Sequence, residues 1–246
     1  MFEPSHGELA GALGVEALVL RPAAERFRSQ LDWLESWHSF SFSNHVDPRW
    51  MGFGPLRVIN DDTIAAGAGF GMHPHRDMEI ITVMVEGELH HRDSMGHAEV
   101  LRAGEVQRMS AGTGVVHSEI NGGDRPCRLL QIWVEPSSLG IEPAYEQKPF
   151  PLQSGWTPLL DPERRAGAMA IHRPVQLWRT CLQPGEPLPL PASGNQFWLQ
   201  MIDGALGQPW QLQRGDGLGW RPQARVEAPP LIATAAGADL LLFALA

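Results

Sequence analysis

Two short dyads limit what this chain can fold into more than any other feature: His73-Pro74-His75 and His117-Ser118-Glu119. In a β-strand, residues i and i+2 point to the same face. Each dyad therefore offers two donors to one side of its strand. Pairing the two strands would gather three imidazoles and one carboxylate. That donor set suits first-row divalent metals and leaves coordination positions for water or substrate. Glycines surround both dyads, in Gly67-Ala-Gly-Phe-Gly-Met-His73 and in Gly112-Thr-Gly114-Val-Val-His117. They permit the tight connections that such strands need.

The rest of the chain reads as the same kind of structure. Glycine (26) and proline (21) punctuate short apolar runs throughout its 246 residues, a pattern of all-β architecture with many turns. Ser39 to Ser43 alternates apolar and polar residues. Leu56–Asn60, Glu79–Val85, Leu89–Arg92, Ala98–Leu101 and Arg128–Val134 read as strands. Phe27, Leu31, Leu34 and Trp37 fall at helical spacing, which predicts either a helical insertion or a longer loop over residues 23–37. The second half repeats the first in faded form. Leu188-Pro189-Leu190 stands where His73-Pro74-His75 would be, and no His-x-Glu follows.

Several longer motifs carry a family resemblance. They are Ser36-Trp37-His38-Ser39-Phe40-Ser41-Phe42, the run from Met51 to Asp62, Gly71-Met72-His73-Pro74-His75-Arg76-Asp77-Met78-Glu79, and Met109-Ser110-Ala111-Gly112-Thr113-Gly114-Val115-Val116-His117-Ser118-Glu119. The chain resembles the pirin family of the cupin superfamily, and within it the bacterial members similar to quercetin 2,3-dioxygenase. Ser110 departs from the proline of many cupin motifs. The resemblance implies an all-β bicupin, two jelly-roll-like β-barrels in tandem with short helical connections. The expected layout is an N-terminal extension over residues 1–16, a metal-binding domain over 17–140 and a C-terminal cupin-like domain without metal ligands over 141–246. Residues 142–150 would form the crossover.

Carried over position by position, the pirin ligands fall on His73, His75, His117 and Glu119. Iron(II) is the favoured metal, with Ni, Co, Mn, Cu or Zn open. The implied activity is ring opening of a flavonol such as quercetin with O2 and release of carbon monoxide, with Glu119 as ligand and catalytic base. The alternative is a non-enzymatic, redox-responsive metal protein that binds a protein partner. Asp77 and Glu79 are candidates to hydrogen-bond a ligand imidazole, or else to form salt bridges. Phe53, Met72, Met109 and Val116 are expected to line or flank the cavity, or else to belong to the barrel core. His90, His91 and His97 are expected on an exposed hairpin, the alternative being support of a metal ligand or nickel binding, and Trp33, Trp37 and Trp133 in the core or in domain packing.

Composition narrows the partners. A net charge of −9 argues against general binding to nucleic acid through phosphates. No stretch approaches the ~20 apolar residues of a membrane span. Cys127 and Cys181 lie far apart in no metal or redox motif, which predicts free thiols in a reducing compartment. The expectation is a cytoplasmic monomer acting on a small aromatic substrate.

Overall fold

The computed structural model describes residues 15–191, 194–222 and 229–246. Of the expected extension over residues 1–16, all but the last two positions lie outside the described residues, and those two already belong to a strand. In chain order the strands begin β1 (Val15–Arg21), β2 (Phe27–Gln30), β3 (Leu34–His38), β4 (Leu56–Ile64), β5 (Gly69–His75) and β6 (Glu79–Glu86). They continue with β7 (Glu88–Asp93), β8 (Ala98–Arg102), β9 (Glu105–Ser110), β10 (Val115–Ile120), β11 (Cys127–Val134) and β12 (Ala144–Pro149). The last are β13 (Thr157–Leu160), β14 (Val175–Leu182), β15 (Pro187–Leu188), β16 (Gln196–Leu206), β17 (Gly217–Pro222) and β18 (Leu231–Leu245). Among the described residues the only helical segments are three-residue 3-10 turns at Ala23–Glu25, Pro48–Trp50 and Arg165–Gly167. The all-β expectation holds.

The chain divides into two compact units. One holds Arg26–Pro151 and Asp161–Pro174; the other holds the segment up to Glu25 with Leu152–Leu160 and Val175–Ala246. In the first, a sheet in the order β12-β9-β6-β11-β4-β3-β2 accompanies a four-stranded sheet, β5-β10-β7-β8. In the second, the sheet runs β1-β17-β16-β18-β14-β13, with β15 on β18. This differs from the expected boundary at residue 140. Residues 144–149 are no crossover: they form β12, which pairs with β9 from Ala144↔Ser110 to Pro149↔Glu105. At the other end, β1 pairs with β17 in the second unit. Backbone pairing of antiparallel neighbours, not order along the chain, assigns a strand to its sheet.

Residues 23–37 are neither a long helix nor a long loop. After the 3-10 turn at Ala23–Glu25 they form the β2–β3 hairpin, with Phe27 opposite His38 and Gln30 opposite Glu35. Leu31, read as part of an apolar helical face, is at the turn and 56% exposed. Trp37 lies beneath the guanidinium groups of Arg26 and Arg28, 5.5 and 5.0 Å from its ring centre.

Parity organises the first unit's large sheet. Residues directly opposite one another share a face. His38, Asn60, Gln131, Thr82, Gln107 and Gln147 stand opposite one another in sequence across β3, β4, β11, β6, β9 and β12. One register row is thus polar from edge to edge, and five of its six residues are buried, with Gln147 half-buried. Apolar bands flank it. On one side Ile64, Met84, Leu89, Leu101 and Leu129 cluster with Leu34 and Cys127. On the other, Ile80, Met109 and Val115 meet Trp133 and Tyr145. The second unit fills its interior differently. Trp198, Trp210 and Trp220 are among its largest fully buried side chains.

Candidate metal centre

β5 and β10 are neighbours in the small sheet, and His73 is directly opposite His117. The register shifts between His117 and Glu119, which places Glu119 opposite Phe70 on β5 and opposite His91 on β7. The first dyad therefore meets His117, while Glu119 groups with His91 and His117. Ring centres are 4.4 Å apart for His73 and His117, 4.8 Å for His75 and His117, and 4.8 Å for His73 and His75. Donor atoms of these three imidazoles all lie within 4.8 Å of one another, as metal ligands do.

The imidazoles are prepared as neutral donors. His73 Nδ1 donates to the Gly71 carbonyl at 2.7 Å, which leaves the lone pair on Nε2. Burial, with the neighbouring His117 and His73 next, lowers the pKa of His75 to about 4. Burial, then His73 and His91, lowers that of His117 to about 3. His117 is fully buried, and neither of its ring nitrogens has a hydrogen-bond partner. Orphaned buried nitrogens are costly unless something binds them, and a divalent cation satisfies the one that carries the lone pair.

Glu119, 3% exposed, reaches across to the polar row of the facing sheet. Gln131 Nε2 donates to its Oε2 at 2.8 Å. Its Oε1 lies 3.2 Å from the Thr82 hydroxyl and 3.4 Å from Gln107 Nε2. Tyr145 in turn donates its hydroxyl to Gln107 Oε1 at 3.1 Å or Gln147 Oε1 at 2.9 Å. Further along the large sheet, buried Asp62 accepts from Ser36. Burial first, and then the charges of Asp61 and Glu119, lift its pKa to about 7.

A family model described as Pirin matches residues 21–134, and one described as the quercetinase C-terminal cupin domain matches residues 159–245. The quercetin 2,3-dioxygenase of Escherichia coli (strain K12) is 47% identical over 189 residues, 76% of this chain and 82% of that one. The chain belongs to the pirin family. Its fold is similar to that of YhhW from Escherichia coli, with a TM-score of 0.87 and 42% identity over 94% of this chain and 98% of that one. The bacterial pirin YhhW in complex with nickel(II) gives a TM-score of 0.86 and 41% identity over 93% and 99% of the two chains. Both halves are thus cupin-type domains.

Other residues of this pirin sit elsewhere than expected. Glu79 reaches no ligand imidazole, because it shares the face of Ile81 on β6 while Ile80 and Thr82 face the site. It accepts from Ser110 at 2.9 Å and from His172 Nδ1 at 3.1 Å. Asp77 accepts the Gly140 N–H at 2.6 Å, a clamp between loops. Met72 and Val116 lie on the outer face of their strands. As chain neighbours of the ligand-face residues they point away, 61% and 38% exposed. Met109 lies in the apolar band beside the site.

Sequence reasoning missed several site residues. His91 is not an exposed hairpin histidine: it is 1% exposed, with its ring centre 5.4 Å from that of His117. Trp133 meets His75 edge-on at 5.0 Å and Phe42 at 5.5 Å, so it borders the site as well as the core. Thr82 and Gln131 carried a readable signal: each is a lone uncharged polar residue at an inward position of a largely apolar strand. Gln107 stands in the mixed strand Glu105–Ser110 and carried none.

Proposed function

We propose that this pirin is a metal-dependent dioxygenase acting on flavonols such as quercetin, with His73, His75, His117 and Glu119 holding one divalent metal. The observation that carries the reading is buried His117, unpartnered at both ring nitrogens, between two half-buried imidazoles and a buried carboxylate. The relative from Escherichia coli that bears the name quercetin 2,3-dioxygenase supports the substrate class. Iron(II) is the first choice of metal, and the nickel(II) complex of YhhW makes nickel(II) the next to try.

When bound, the metal supplies a Lewis acid that stabilises the deprotonated flavonol oxygen. The protein's own groups do the rest. His73, His75 and His117 supply the imidazole lone pairs, with His75 and His117 held neutral by their burial. Glu119 takes the flavonol hydroxyl proton on one carboxylate oxygen, a role that requires hydrogen-bond reach of that proton. Gln131, Thr82 and Gln107 hold that carboxylate in one orientation. Trp133 and Phe42 give an aromatic wall beside His75, suited to a flat substrate.

A second reading is a redox-responsive regulator that binds a protein partner. The same buried donor set serves it.

Anaerobic reconstitution with iron(II) or nickel(II), then quercetin in air with detection of carbon monoxide, separates the two. The dioxygenase is expected to consume flavonol, to lose activity in a His73→Ala/His75→Ala variant, and to keep metal but lose turnover in Glu119→Gln. Full metal loading without turnover would move the weight to the regulator. Full activity in a metal-loaded Glu119→Gln would remove Glu119 as the base.

A further inference from the structure

We propose that His91, His117 and Glu119 form a second, fully buried seat for a divalent transition metal, overlapping the first through His117 and Glu119. Donor atoms of the three lie within 4.8 Å of one another, and the residues are 1%, 0% and 3% exposed. The sheet explains the grouping. His91 is directly opposite Glu119 on β7 and β10, and His117 precedes Glu119 by two residues, so all three share a face.

His91 is built as a ligand. Its Nε2 lies 3.0 Å from Asp93 Oδ2. Asp93 is an acceptor on every count, since its Oδ1 takes the backbone N–H groups of Met95 and His97 at 2.9 and 3.0 Å. The His91 proton therefore sits on Nε2, and Nδ1 carries the lone pair. That Nδ1 is buried with no hydrogen-bond partner. A carboxylate that fixes one imidazole nitrogen while the other stays free is the usual support of a metal-bound histidine. Tyr145 stacks on the same ring at 4.7 Å and keeps it from swinging away.

Glu119 retains capacity for a cation. A carboxylate offers about four lone-pair positions, and Gln131, Thr82 and Gln107 occupy some of them. Two imidazoles and one carboxylate suit zinc(II), cobalt(II), nickel(II) or iron(II) over calcium or magnesium. The outer triad of His73, His75 and His117 includes two half-buried imidazoles, whereas every member of the inner triad is buried. A cation thus enters at His73 and His75 and reaches the inner seat by exchanging those two donors for His91, with His117 and Glu119 kept throughout.

The proposal shares His117 and Glu119 with the four-ligand reading but stands or falls separately. The test is a cobalt(II) titration, by calorimetry and by the visible spectrum of the bound ion. It compares wild type, His73→Ala/His75→Ala, the same pair with His91→Ala added, and His91→Gln alone. Expected is one equivalent of cobalt(II) in the double variant, weakened about tenfold or more when His91 is also removed, with His91→Gln alone still loading through His73 and His75. A folded double variant that binds no cobalt(II), or binds it equally well with and without His91, overturns the inner seat while leaving the outer one standing. Equal binding by wild type and double variant supports the inner seat and removes the outer one. Thermal melts establish folding. If the double variant does not fold, His73→Ala alone, which opens the outer triad, takes its place.

Discussion

At Glu119 a carboxylate 3% exposed meets the Gln131 amide at 2.8 Å, with Thr82 and Gln107 at 3.2 and 3.4 Å. A buried charge without such donors would neutralise or unfold its surroundings. Gln131→Leu removes the shortest of these bonds. We expect it to cost about 1–3 kcal/mol of stability and to raise the metal dissociation constant about 10–100-fold. Urea denaturation and cobalt(II) titration of one preparation measure both, and unchanged metal affinity would show that the row does not orient Glu119. The imidazoles make a second prediction. His75 and His117 titrate at about 4 and about 3 in the folded chain, against about 6.5 unfolded. Between those values the unfolded chain binds more protons, so stability falls as pH is lowered from 6.5 towards 4. Asp62 acts in the opposite sense. Its pKa of about 7 makes its contribution full below about 3.9 and lost as pH rises to 7. In metal-free protein we therefore expect Asp62→Asn to steepen the acid loss between pH 4 and 6.5, read as denaturation midpoints against pH. A flatter profile would contradict the assignment.

At the scale of elements, β10 is the organising strand, since it carries His117 and Glu119 and pairs with both β5 and β7. Its alternation puts donors inward and Val116 outward, and β5 does the same with His73 and Met72. The start of β5 is held by Gly69, whose φ of +155° and close approach to the Glu119 carbonyl leave no room for a Cβ. Gly69→Ala is expected to push β5 off β10 and to weaken metal binding by more than it lowers the melting temperature, because the damage falls at a sheet end beside the ligands. A melting loss with unchanged affinity would argue that β5 is placed by other contacts. The β2–β3 hairpin teaches a different lesson. Phe27, Leu31, Leu34 and Trp37 match a helix in spacing, but the turn exposes Leu31. Across the hairpin, Arg28 lies 2.5 Å from Glu35. Four positions are too few for periodicity to separate a helix from two strands and a turn.

For the molecule as a whole, both units are cupin-type, but the donors lie in one. In the second unit buried tryptophans fill the interior. Metal is therefore expected to protect β5, β7 and β10 from hydrogen exchange and to leave β16 to β18 unchanged. It should raise stability by about 2.7 kcal/mol at one hundred times its dissociation constant, and a chelator should reverse both effects. Equal protection across both units would place the ion elsewhere. No helix among the described residues is long and apolar enough to cross a membrane. By itself the sequence determined the all-β class and the meeting of His73 and His75 with His117, because both rest on period-two alternation, a property of the local backbone. Tertiary structure alone decided which units β1 and β12 join, that His91 is buried beside His117, and that Thr82, Gln107 and Gln131 converge on Glu119. Those facts depend on which strands become neighbours and in what register, and no single segment carries that information.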